Sequence, residues 1–162
     1  MKTLIIYYSL DGNTRMISEL IKSNIESDIL ELVPVHDNNK KGLLKILSGG
    51  KQVLRKEKPE LKPFNINPGE YDLIFIGTPV WAGTFSPALN TFLSDTLIKD
   101  KKIVLFCCNR GGKGKVFEKF RELLKNNLII SEKDFTSPLK KNRNEISEDV
   151  KTWIDDLLKT LD

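Results

Sequence analysis

The chain has 162 residues, 40% hydrophobic and 30% charged, with a formal net charge of +4. That length suits one domain over residues 1–162, and the composition excludes a disordered or collagen-like chain. No apolar run approaches the roughly 20 residues of a membrane helix, so neither a membrane nor a secreted location is expected and the protein reads as cytoplasmic.

The amino-terminal run Thr3–Tyr8 is too short for a signal-peptide core of about 7–15 apolar residues and reads as a first buried strand. Asn13–Ile25 follows as a helix, with Met16, Ile17, Leu20, Ile21 and Ile25 on one face. Ile29–Val33 is a second strand, stopped at Pro34. The positive charge then concentrates. From Lys40 to Lys62, eight lysines and arginines stand against two glutamates, so this segment carries +6 and the rest of the chain −2. This basic insert, about 36–68, suits an acidic partner. It has no aromatic residues between its lysines to stack on bases, which argues against nucleic acid. Leu43, Leu44, Leu47 and Leu54 predict a helix within it, and His36 at its start is expected to be exposed.

Asp72–Gly77 reads as a third strand, apolar enough to be buried on both faces. Ser86-Pro87 is an N-cap followed by proline at the first helical position, and Leu89, Phe92, Leu93 and Leu97 are the expected inward face. Lys102–Cys107 is a fourth strand. Cys107 and Cys108, the two cysteines of the chain, are neighbours whose side chains would point to opposite faces, a poor geometry for a disulfide and the wrong spacing for a zinc site. They are expected to be small buried residues, and no metal is expected. Val116, Phe117, Phe120, Leu123 and Leu124 line the next helix. Leu128–Phe135 is a weaker strand interrupted at Ser131–Asp134. The last helix carries Ile146, Val150, Trp153, Ile154, Leu157, Leu158 and Leu161, which makes Trp153 a core residue. Five strands alternating with five helices predict a parallel sheet covered on both faces, with any ligand beyond the carboxyl ends of the strands.

Three loops lie at those ends. Ser9-Leu10-Asp11-Gly12-Asn13-Thr14 offers hydroxyls and backbone N–H groups at a helix start, which suits an anion. It matches neither a Walker loop nor the G-x-G-x-x-G fingerprint. Thr78-Pro79-Val80-Trp81-Ala82-Gly83-Thr84 sets a tryptophan among small residues, where it can stack on a planar ring. Cys107-Cys108-Asn109-Arg110-Gly111-Gly112-Lys113 lets backbone come close to a ligand. Together they suit a phosphorylated planar heterocycle.

These residues resemble the flavodoxin family. Tyr-Tyr-Ser-Leu-Asp-Gly-Asn-Thr (7–14) is similar to its phosphate loop, Phe-Ile-Gly-Thr-Pro-Val-Trp-Ala-Gly-Thr-Phe-Ser-Pro-Ala (75–88) to its second flavin loop, and Phe-Cys-Cys-Asn-Arg-Gly-Gly (106–112) to its third. The resemblance implies a doubly wound α/β flavodoxin-like fold of the short-chain type, with five parallel strands in the order 2-1-3-4-5, and FMN as cofactor. It implies that Ser9, Asn13 and Thr14, with the N–H groups of Asp11 and Gly12, bind the FMN phosphate. In the second loop, Thr78, Pro79, Val80, Trp81, Ala82 and Gly83 would hold the ring, Trp81 by stacking and the Ala82-Gly83 backbone near flavin N5. Cys108, Asn109 and Gly111 would meet the pyrimidine edge. Asp11 stands where the pattern usually has Ser or Thr, so its carboxylate is expected to point to solvent. The resemblance further implies a one-electron carrier between redox partner proteins. The alternatives are an FMN-dependent NAD(P)H:quinone-type reductase, favoured by the lack of a tyrosine in the third loop to cover the flavin, and a flavin-free interaction module working through the basic insert. A phospho-acceptor receiver domain needs acidic residues where Tyr8-Ser9 and Gly77-Thr78 stand, and is excluded.

Overall fold

A computed structural model of the chain describes residues 1–35 and 58–161. Strand β1 spans Thr3–Tyr7, helix α1 Asn13–Asn24, β2 Asp28–Glu31, β3 Leu73–Pro79, α2 Pro87–Asp95, β4 Lys102–Asn109, α3 Val116–Leu123, β5 Leu128–Thr136 and α4 Arg143–Lys159. Short 3-10 turns at Pro68–Glu70 and Pro138–Lys140 complete the described elements. The helix expected near Leu43–Leu54, His36 and most of the basic insert lie outside the described residues.

All strand pairs are parallel, in the order β2-β1-β3-β4-β5. The fold class expected from the loops is the one observed. Side chains alternate along the central strands and so supply two cores. Leu4, Ile6, Ile74, Ile76, Ile103, Leu105 and Cys107 pack with Leu89 and Phe92 of α2 and Val116, Phe117 and Phe120 of α3. Ile5, Tyr7, Phe75, Val104, Phe106 and Cys108 pack with Ile17 and Ile21 of α1 and Ile146, Val150, Ile154 and Leu157 of α4. Burying each of the larger side chains contributes about 1.5–3 kcal/mol before ordering costs. Cys107 and Cys108 therefore occupy opposite faces, both buried with free thiols.

Several boundaries differ from the sequence expectation. Strand β3 runs two residues past Gly77, so Thr78 and Pro79 are strand residues, and β4 continues through Cys108 and Asn109. Strand β2 is shorter than Ile29–Val33 and begins one residue earlier. Strand β5 is continuous through Ser131–Asp134; its register against β4 shifts between Ile103 and Val104, with Ile129 and Ser131 as their partners. Its polar residues are held in the strand by ion pairs to both sides, Glu132 with Arg121 of α3 and Lys133 with Asp149 of α4. Leu97 lies beyond the end of α2 and Leu123 ends α3, and both are exposed rather than inward-facing. Trp153 is a packing residue, as expected. It sits edge-on to Phe75 and Phe135, and its indole N–H donates to Ser131 Oγ at 2.9 Å.

After β2 the chain leaves and returns beside itself. Lys62 N–H donates to Val33 O and Val35 N–H to Glu60 O, with an antiparallel bridge between Pro34 and Leu61. Thr91 of α2 holds the returning segment through a bond from its hydroxyl to Pro59 O. No described helix is long and apolar enough to cross a membrane.

Candidate functional site

Strand order reverses between β1 and β3, and the chain diverges there at the carboxyl ends of the strands. A cavity of about 190 Å³ opens at this edge. Leu10, Asp11 and Asn13 line it from the loop after β1, Pro79, Val80 and Trp81 from the end of β3, and Cys108, Asn109 and Arg110 from the end of β4. The three predicted loops thus meet at one place. Leu10 and Arg110 were not singled out from the sequence; their part becomes visible only once the loops are brought together. Ser9, Gly12, Thr14, Thr78, Ala82, Gly83 and Gly111 are not in the cavity wall.

The first loop is organised by its own acceptors. Gly12 caps α1 in a left-handed conformation (φ 88°). Ser9 Oγ accepts from Arg15 N–H at 3.2 Å and Asp11 Oδ1 from Asn13 N–H at 3.2 Å. Two donors at the positive end of α1, which a bound anion would use, are thus held by side chains of the loop itself. Asn13 Oδ1 accepts from Leu139 N–H at 3.1 Å, so the 3-10 turn after β5 is docked on this loop. The Thr14 hydroxyl is fully buried, bonds no nitrogen or oxygen among the described residues and lies beside the Cys108 thiol.

Asp11 is partly exposed at the cavity rim, but its carboxylate is not left to solvent alone. Its Oδ2 accepts from Arg110 Nη2 at 2.9 Å, joining the first and third loops. Burial alone would raise the Asp11 carboxyl, but hydrogen bonds from Asn13 and Arg110, with the guanidinium charge, hold it below its ordinary value.

In the second loop, the Thr78 hydroxyl is fully buried, accepts from Ser86 N–H at 3.0 Å and donates to Pro79 O at 2.9 Å, tying the end of β3 to the start of α2. Residues 81–84 form a tight turn closed by Trp81 N–H to Thr84 O and Thr84 N–H to Trp81 O, with Ala82 (φ 48°) and Gly83 (φ 78°) both left-handed. Trp81 is only 3% exposed and packs edge-on to Tyr8 at 6.1 Å between centroids. It forms the inner wall of the cavity and does not present a free ring face. A tryptophan among small loop residues suggested a platform because its packing partner, Tyr8, comes from another strand end.

The third loop is fixed from within. Asn109 is buried; its amide nitrogen donates to Asp134 at 3.2 Å, while its oxygen accepts from Gly112 N–H at 2.9 Å and Thr136 Oγ1 at 3.1 Å. Its side chain therefore shapes the loop, and what the loop offers a ligand is backbone and Arg110. Gly114 (φ 55°) lies so close to the second loop that a Cβ there would meet Gly83 Cα at 2.5 Å, and Lys115 N–H donates to Gly83 O at 2.8 Å. The second and third loops thus touch backbone to backbone. A Cβ at Gly111 would have no neighbour within 4 Å, so the outer side of the site is open.

A sequence model of the flavodoxin family matches residues 2–157. No curated protein matches the sequence. Among solved structures, the chain is similar to a flavoprotein from Lactobacillus acidophilus NCFM in complex with FMN, with 29% identity, 86% of this chain and 96% of that one covered, and a TM-score of 0.66. It is also similar to oxidised Flavodoxin 2 from Bacillus cereus, at 18% identity, 99% coverage of each chain and a TM-score of 0.59. A flavodoxin, WrbA-like protein from Agrobacterium tumefaciens is similar at 15% identity, 93% and 91% coverage and a TM-score of 0.61. The last two likenesses are of fold alone.

Proposed function

The chain belongs to the flavodoxin family, and we propose that it binds FMN at the β1/β3/β4 strand ends and carries single electrons between redox proteins. The observation that carries this reading is the meeting of three strand-end loops around one cavity whose polar groups suit a phosphate. In its wall the Asn13 amide keeps donor hydrogens and Arg110 brings a positive charge, and outside the wall the Ser9 hydroxyl keeps a donor hydrogen. FMN, when bound, supplies the one-electron chemistry. The protein's part is to hold the phosphate at the start of α1, to exclude water with Val80, Trp81 and Cys108, and to fix the Ala82-Gly83 backbone through Lys115. The cavity of about 190 Å³ is smaller than the roughly 300–1,000 Å³ of common ligand sites. Only part of the cofactor fits inside it, which leaves an exposed edge for exchange with a partner.

That open outer side also favours the second reading, a reductase of quinone-type acceptors, because a substrate could stack where Gly111 leaves space. The test is a visible spectrum after incubation with FMN and desalting, followed by NAD(P)H oxidation with a quinone present. Retained flavin without steady-state NAD(P)H turnover fits the carrier. Retained flavin with turnover selects the reductase. A colourless protein overturns both and leaves an interaction module.

A further inference from the structure

Asp11 lines the cavity that is to take a phosphate dianion, and a bare carboxylate there opposes binding. At roughly 6 Å with solvent-like screening, one negative charge beside a dianion weakens binding by about tenfold. The structure supplies a counter-charge from far along the chain. Arg110 reaches from the end of β4 and donates to Asp11 Oδ2 at 2.9 Å, across 99 residues of sequence. Lys113, in the same loop, is paired with Asp134 at 3.7 Å, and among the described residues lining the cavity Arg110 is the cation.

The pair is a poor device for stability. The Arg110 side chain is 75% exposed and that of Asp11 32%, and ion pairs this wet contribute almost nothing to folding. Its position gives it another consequence. Asp11 also holds Asn13 N–H, so in the free protein its carboxylate stands on the donors of α1 as an internal anion. Arg110 uses one of its five N–H donors on it.

We propose that Arg110 is a specificity-determining residue that neutralises Asp11 and so allows this site to rank FMN above unphosphorylated riboflavin. The inference rests on the FMN reading and concerns the two charges alone. Arg110 acts as the counter-charge of Asp11, and because screened charges add, its removal leaves the site one unit more negative whether or not Asp11 carries its charge.

The test is a double-mutant cycle on the full chain, with FMN and riboflavin affinities measured by quenching of flavin fluorescence at fixed ionic strength. Both side chains are at the surface, so Arg110→Gln and Asp11→Asn leave the core intact. Arg110→Gln is expected to weaken FMN about tenfold and change riboflavin less than about twofold; Asp11→Asn is expected to tighten FMN about threefold or more. The double variant removes both charges, leaves their sum unchanged and is expected to bind FMN about as the unmodified protein does. A double variant that binds FMN as weakly as Arg110→Gln overturns the proposal, as does an equal loss for both flavins or no loss at all. An NMR titration of Asp11 without flavin separates this from the cofactor reading. Arg110→Gln should raise the carboxyl midpoint, and a midpoint that stays put overturns the inference whatever binds. Failure of the unmodified protein to retain FMN, with the midpoint shift present, overturns the cofactor reading and removes the ranking with it.

Discussion

At Cys107 and Cys108 a single step along β4 sends two identical side chains into different cores. Burial is the main reason both thiols titrate far above the free value, Cys108 at about 12. They are therefore expected to be inert to a disulfide reagent at pH 8 in the folded protein and both to react in denaturant; fast labelling of native protein contradicts their burial. The same burial sets the alkaline limit. A thiol or phenol raised in the fold keeps its proton after the unfolded chain has lost it, so its contribution is intact below the free value and is lost as pH rises toward the folded one. Tyr7 and Tyr71 are pushed the same way, each to about 12 and chiefly by burial. The urea midpoint should stay level from about pH 6 to 8 and fall steadily above about pH 9. Sterics act as locally at Gly77, where a Cβ would stand 2.1 Å from Phe106 Cζ. Gly77→Ala is expected to cost about 1–3 kcal/mol in urea unfolding, with part recovered when Phe106→Leu is added.

Elements were legible where their signals are local. Ser86-Pro87 marks the start of α2 in the sequence, and in the structure Ser86 Oγ accepts from Leu89 N–H while Pro87 opens the helix. Ser86→Ala should lower stability by about 1 kcal/mol, seen as a thermal shift of a few degrees. Strand β5 was harder to read because its support is distant. Ser131–Asp134 interrupts the apolar pattern, and nothing nearby in sequence announces that Arg121 and Asp149 will hold Glu132 and Lys133. These charges also blunt the sheet's open edge against pairing with another chain. The candidate site divides on the same line. Glycines and hydroxyls at strand ends could be read in order. The internal use of the Asn109 amide, the burial of Trp81 against Tyr8 and the reach of Arg110 to Asp11 each depend on a partner from another element.

For the molecule as a whole, charge governs binding more than folding. In every ion pair among the described residues at least one side chain is about half exposed or more, and such pairs are screened within about 10 Å at 0.1 M salt. Raising sodium chloride from about 0.05 to 0.5 M should leave the urea midpoint nearly unchanged and weaken FMN severalfold. A matching drop in stability would show that the surface pairs carry more than their exposure allows. The contact between Gly83 and Gly114 has a genetic consequence. Any substitution a single base change can introduce at position 114 adds a Cβ, and that atom has nowhere to go. Position 111, a few residues earlier in the same loop, faces empty space. Lineages descending from this sequence can therefore rewrite the outer side of this loop at 111, while 114 stays as it is: one loop holds both the freest and the most closed route for divergence.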